Sequence, residues 1–259
     1  MVVLISVLTR ESYGEYCNLF KIVWGYLNEV SYDENSVIQN ICSLRGYSLE
    51  TMMPSMLKKI GFVFIDDDLF DENKLLKINN KGSLGLYTKE GKFLLRGRFI
   101  FPVKDMLGNI IALIGWYPDE KKYVTTPSKF FSKKNLFFGL EQLKKTGIGK
   151  EYILVEGIFD CISVRSMGAN CIAMMGISVS NYTEAMYSLF KRLIAIPDND
   201  KEGKKVLLND KWRIPSNSSY LNILGNYKDI DDVCKDFDMF NTFKDIWKEK
   251  ERIISLDLN

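Results

Sequence analysis

One pattern constrains this chain more than any other. The run Tyr152-Ile-Leu-Val155 is continuously apolar, ends on Glu156, and passes at once into Gly157 and a helix-like stretch that carries Asp160. The pattern recurs at Leu193-Ile-Ala-Ile196, which runs through a proline into Asp198 and Asp200. Short apolar runs of this kind read as strands buried on both faces. Two such strands in one parallel sheet release their acids at the same edge, which is where ligands bind in open α/β sheets. Carboxylates gathered there repel one another unless a cation joins them, and oxygen-only donors suit Mg2+ or Mn2+.

The rest of the chain supports an α/β fold with an α+β N-terminal part: a parallel sheet flanked by helices, preceded by a mixed subdomain. Candidate strands Ile153–Val155, Ile172–Met175, Leu193–Ile196 and Tyr220–Leu224 alternate with helical stretches around Cys161–Met167, Thr183–Lys191 and Lys201–Asp210. That alternation argues for a parallel sheet. Upstream, Leu19, Phe20, Val23, Trp24 and Leu27 recur at helical spacing, as do Val37, Ile38, Ile41 and Cys42, with Gly46 as a stop. Ser48 can cap a next helix whose start Pro54 limits or shifts. Leu84–Tyr87, Phe93–Leu95 and Phe99–Val103 are strand-like, and Gly108-Asn109 is placed to turn a hairpin. Arg96 and Arg98 would share one face of a strand. The expected divisions are 1–148, 149–234 and a helical tail 235–259. Phe240, Phe243 and Trp247 line one face of that tail. The stripe packs on the chain's own core or, if exposed, docks a partner.

Two absences exclude chemistry. The 259 residues contain no histidine, which removes histidine acid–base catalysis, Ser-His-Asp triads and histidine metal sites. The five cysteines are scattered without a Cys-x-x-Cys, so neither zinc nor a disulfide framework is expected and a reducing, cytoplasmic setting fits. The apolar start is cut short by Arg10 and Glu11, so no signal peptide or membrane span is expected. A net charge of +2 announces no nucleic-acid partner in bulk; any such partner must be met by a local patch.

The acids fall into three groups: Glu156 with Asp160, Asp198 with Asp200, and Asp229-Ile-Asp231-Asp232. Three acidic strand ends on one edge make a site for divalent metal, suited to phosphoryl or nucleotidyl transfer. Glu156-Gly157-x-x-Asp160 followed by Asp198-x-Asp200 resembles the Toprim motif. Around it, Leu44-Arg45-Gly46, Arg96-Gly97-Arg98, Lys122-Tyr123-Val-Thr-Thr-Pro127 and Lys133-Lys134 with Gly139 resemble the catalytic core of DnaG-type primases, from about Ser36 to Cys234.

That resemblance implies an RNA polymerase that starts primers de novo on single-stranded DNA from ribonucleoside triphosphates. It implies that Glu156, Asp198 and Asp200 hold the catalytic Mg2+ or Mn2+, with Asp160, Asp229 and Asp231 completing the acidic site. It also implies a basic groove of Arg96, Arg98, Lys122, Tyr123, Lys133 and Lys134 for template and nucleotide. Set against the family pattern, neither a zinc-binding module nor a helicase-binding domain is expected in this chain. An arginine expected after an Ile114-Gly115 turn is replaced by Trp116-Tyr117. The expectation is a minimal, phage-like core, served by a replicative helicase or a zinc-bearing partner. A Toprim nuclease using the same metals, and a replication accessory protein that binds single strands or a helicase with weak catalysis, are the alternatives.

Overall fold

The structure is a computed structural model. It describes residues 10–247 apart from 66–69, 79–83, 119–121, 127–132, 176–178, 222–225, 237 and 246. Helix α1 (Arg10–Glu29) buries Tyr16, Phe20, Val23 and Leu27 along one side. Helix α2 (Glu34–Arg45) begins where the Asp33 carboxylate accepts the Ser36 N–H at 3.0 Å. It ends at Gly46, whose φ of 74° is the left-handed conformation that glycine adopts without strain. Helix α3 (Met53–Ile60) carries Pro54 in its first turn, where a missing N–H costs nothing. Ser48 therefore does not cap it. Its hydroxyl accepts the Glu50 N–H within the preceding turn.

Strands β1 (Val63–Phe64), β2 (Phe99–Lys104), β3 (Ile110–Tyr117) and β4 (Lys122–Thr125) form an antiparallel sheet in chain order, with α4 (Glu72–Ile78) between the first two. The β2–β3 hairpin turns as its sequence requires. The Asp105 carboxylate accepts the N–H groups of Leu107 and Asn109, and Gly108 takes φ 87°. Elsewhere the strand reading is corrected. The runs at 84–87 and 93–95 are reduced to one bridge, Tyr87 to Phe93. Arg96 and Arg98 flank Gly97 (φ 63°) in the turn before β2, so they do not share a strand face. Ile114-Gly115 is not a turn but the middle of β3, where the Arg98 side chain lies over Gly115.

The second sheet is built from β5 (Phe137–Phe138), β6 (Glu151–Val155), β7 (Cys171–Met174), β8 (Arg192–Ala195) and β9 (Ser219–Tyr220), in the order β5-β7-β6-β8-β9. Strands β6 to β9 are parallel, and β5, which the sequence pattern did not announce, joins β7 antiparallel. Of the strand expected at 220–224, residues 222–225 lie outside the described residues. Helices α5 (Leu143–Thr146), α6 (Ile158–Ser166), α7 (Asn181–Tyr187), α8 (Lys201–Asn209) and α9 (Ile230–Lys235) complete the element order.

Helix α6 joins the two sheets and is buried over its whole length. Its Phe159 ring meets Trp116 of β3 edge-on at 4.8 Å and Phe101 of β2 at 5.6 Å. The face of the second sheet toward α6 shares the large core with α1 to α3 and the antiparallel sheet, while Tyr152, Leu154, Tyr187, Leu193 and Trp212 fill a second core. Phe240, Phe243 and Trp247 are buried in the large core, so the stripe belongs to the fold and is not a docking face.

Gly139, just after β5, has φ 97°, and a Cβ there would stand 2.7 Å from the Cys171 carbonyl oxygen. Both backbone strain and backbone collision oppose a side chain. Gly139→Ala is expected to destabilise the protein by roughly 1–3 kcal/mol, read as a lower urea midpoint at unchanged slope.

Candidate active site

The parallel register sets the acids side by side. Leu154 of β6 lies opposite Ala195 of β8, and the Ile196 N–H continues the ladder to the Leu154 carbonyl. Glu156 and Asp198 then leave the two strand ends together, and the Asp198 N–H donates to Glu156 Oε1 at 3.4 Å. Gly203, in the first turn of α8, makes this loop possible. A Cβ there would fall 1.8 Å from the Asp198 carbonyl oxygen. Asp200 is exposed and caps α8, accepting the N–H groups of Glu202 and Gly203, each at 2.9 Å.

The other acids split into two roles. Asp160 is buried and bridges two helix starts, accepting the Gly157 N–H at 3.1 Å and the Asp231 N–H at 3.2 Å. Asp229 caps α9 through the Asp232 N–H at 2.8 Å and lines the cleft. Asp231 points into the protein instead. It accepts from Arg45 and Tyr47, takes the Ser163 hydroxyl at 2.7 Å, and has the Lys235 ammonium 3.2 Å away. Asp229, Asp231 and Asp232 can each turn an oxygen to within 4.8 Å of one another, a spacing that could hold a metal ion. Asp231, however, already has two cations and two hydroxyls as partners.

The electrostatics follow this division. Burial, then the charges of Glu156 and Asp229, push Asp198 up from 3.8 to about 7. Burial also raises Glu156, with Asp200 adding to it. Asp160 is held well above the carboxylate range by burial, then by Asp231 and Asp229. Burial alone would raise Asp231 too, but Arg45, Lys235, Tyr47 and Ser163 outweigh it and hold its carboxyl low. Glu156, Asp198 and Asp229 all line one cleft and offer only oxygen donors, a set that fits a hard divalent cation.

These three acids and Asp160 line a cleft of about 300 Å³, with Arg45, Lys133, Trp116 and Tyr123 also lining it. The Arg45 guanidinium lies 4.2 Å from the Phe159 ring centre and 5.7 Å from that of Trp116. Tyr123 of β4 pairs with Trp116 across the sheet. Among the described side chains of the groove singled out in the sequence, Lys133 and Tyr123 line this cleft; Arg96 and Arg98 do not. The side chains of Lys122 and Lys134 lie outside the described residues. Sequence reasoning gave no site role to Arg45, Tyr47 or Lys228. Arg45 stood within a recognised motif with Tyr47 just beyond it, and Lys228 directly precedes Asp229.

Residues 153–234 match a family model described as Toprim-like. The chain is 28% identical over 213 residues to a DNA primase of Thermotoga maritima, covering 76% of this chain and 36% of that protein. A DNA primase of Clostridium acetobutylicum is 29% identical over 189 residues, covering 68% of this chain and 31% of that protein. A solved DnaG primase catalytic domain bound to single-stranded DNA superposes with a TM-score of 0.70 at 15% identity, over 93% of this chain and 80% of that one. The chain holds a DnaG-type primase core. The RNA polymerase domain of Mycobacterium tuberculosis DnaG has the same fold, with a TM-score of 0.66 at 17% identity over 92% of this chain and 82% of that one. The primase core here spans about a third of the length of these two curated relatives. Among the described residues, no helix is long and apolar enough to cross a membrane.

Two outcomes follow for this primase core. Between the ordinary value of 3.8 and the folded value of about 7, Asp198 binds more protons folded than unfolded. Stability in chelator therefore falls as pH rises through that window, and Glu156 and Asp160 add in the same direction. Asp198→Asn should flatten the profile and raise the melting temperature at pH 8, read by thermal melts from pH 4 to 8. Arg45→Met leaves a buried carboxylate short of its closest cation. It should cost about 3–5 kcal/mol in chemical denaturation.

Proposed function

We propose that this chain is a DNA primase core that makes short RNA primers de novo on single-stranded DNA by nucleotidyl transfer. The observation that carries this reading is one cleft lined both by Glu156, Asp198 and Asp229 and by Arg45, Lys133 and Tyr123. Glu156, Asp198 and Asp229 are the residues that would hold Mg2+ or Mn2+. Such an ion, when bound, supplies charge neutralisation at the triphosphate and activation of the attacking 3′-hydroxyl. Asp200 keeps the Asp198 loop at the start of α8, and Asp160 and Asp231 fix α9 against α6.

Arg45 and Lys133 bind phosphates of the incoming ribonucleoside triphosphate, and Tyr123 offers a ring to a base. Arg96, Arg98, Lys122 and Lys134 track the template backbone outside the cleft, where cations contribute salt-dependent affinity. A solved relative of this fold carries single-stranded DNA, which supports that template class. Loading onto template falls to a replicative helicase or a zinc-bearing partner in the host cytoplasm.

The test is primer synthesis on mixed-sequence single-stranded DNA with labelled ribonucleotides and Mg2+ or Mn2+. Wild type should give short RNA. Asp198→Asn and Glu156→Gln should each lose roughly 10²-fold or more, as when one electrostatic group leaves a catalytic site. Template cleavage without synthesis would overturn the proposal in favour of a nuclease that uses the same acids.

A further inference from the structure

Lys228 stands where the acidic wall of the cleft needs a positive charge. Its ammonium donates to Asp229 Oδ2 at 3.1 Å and lies 3.9 Å from Asp198 Oδ2. The two carboxylates are mostly buried, with side-chain exposures of 19% for Asp198 and 13% for Asp229, while the lysine is 62% exposed. An exposed ion pair between two mobile side chains contributes little. Here, however, two fixed and partly desolvated anions repel each other, and one mobile cation sits between them.

The lysine backbone is fixed while its head can leave. The Lys228 carbonyl accepts the Asn199 N–H at 2.6 Å, and the Asn199 side-chain amide donates to the Tyr227 carbonyl at 3.2 Å. These bonds tie the segment before α9 to the loop carrying Asp198 and Asp200. A flexible four-carbon stem then lets the ammonium move between the acids and solvent without disturbing either strand end.

We propose that Lys228 is a built-in counterion, its ammonium occupying the space between Asp198 and Asp229 that a divalent cation takes when it binds. The inference rests on the acidic-site reading given under Proposed function. Its consequence has a definite sign. A residue that only props the acids in place would, when removed, weaken cation uptake. A counterion that must be displaced would, when removed, strengthen it. The same removal leaves the carboxylates unneutralised when no metal is present.

The experiment is calorimetric titration of Mn2+ or Mg2+ into wild type, Lys228→Met and Lys228→Arg, with melting temperatures in chelator alongside. Lys228→Met keeps most of the stem and loses the charge. It should bind the cation about 10-fold more tightly, as expected for removing one unit charge near a partly buried ion, and melt lower in chelator. Lys228→Arg should restore both properties to near wild-type values. Normal uptake by wild type with unchanged or weaker uptake by Lys228→Met would overturn this inference alone. No uptake by wild type would overturn the acidic-site reading and this inference with it.

Discussion

The pairing of Arg45 with Asp231 holds this structure to its function. Asp231 is 1% exposed, and an unpaired charge at that depth would cost several kcal/mol. Arg45 at the end of α2, Tyr47 just beyond it, Ser163 of α6 and Lys235 of α9 all converge on its carboxylate. The helical N-terminal part, the helix between the sheets and the last described helix before the tail are thereby fixed against one another. The Asp231 N–H then fixes Asp160, which fixes Gly157 at the start of α6. The position of Glu156 depends on this chain of bonds.

The acids consequently do two kinds of work. Of those turned inward, Asp231 is offset by two cations and two hydroxyls, and Asp160 accepts two backbone N–H groups; the energetic role of both is to lock helices. Those turned outward, Glu156, Asp198 and Asp229, carry more negative charge than their neighbours offset. Burial first, and the neighbouring acids second, raise Glu156 and Asp198. A fold that holds like charges together stores repulsion that a cation can relieve, and Lys228 supplies part of that relief from within the chain. Backbone sterics keep the geometry narrow: neither Gly157 nor Gly203 has room for a Cβ, because Asp160 and the Asp198 carbonyl stand in its place.

Much of this was readable in one dimension. Continuous apolar runs ending in Glu156 and Asp198 announced parallel strands and a shared edge, because burial on both faces leaves that signature. The Asp105–Asn109 turn and the Gly46 stop were legible for local reasons of hydrogen bonding and positive φ. Arg96 and Arg98 were misread as a strand because alternate spacing alone does not register that Gly97 adopts φ 63°. Two-residue β5 escaped notice because so short a segment has no periodicity to detect. The aromatic stripe at 240–247 was visible, but its burial depended on a core made by distant elements.

The sequence by itself determined the strand–acid pattern, the alternation of the second sheet and the exclusion of histidine chemistry, since each follows from residue type and local spacing. The tertiary structure alone decided which acids face the cleft. Asp229 and Asp231 are two residues apart and chemically identical, yet one lines the cleft and the other is sealed against Arg45. That difference arises from what packs against each face of α9, contributed by residues as remote in sequence as Arg45 and Ser163. No local pattern encodes it, because the desolvation and pairing of a carboxylate depend on which chain segments the fold brings around it.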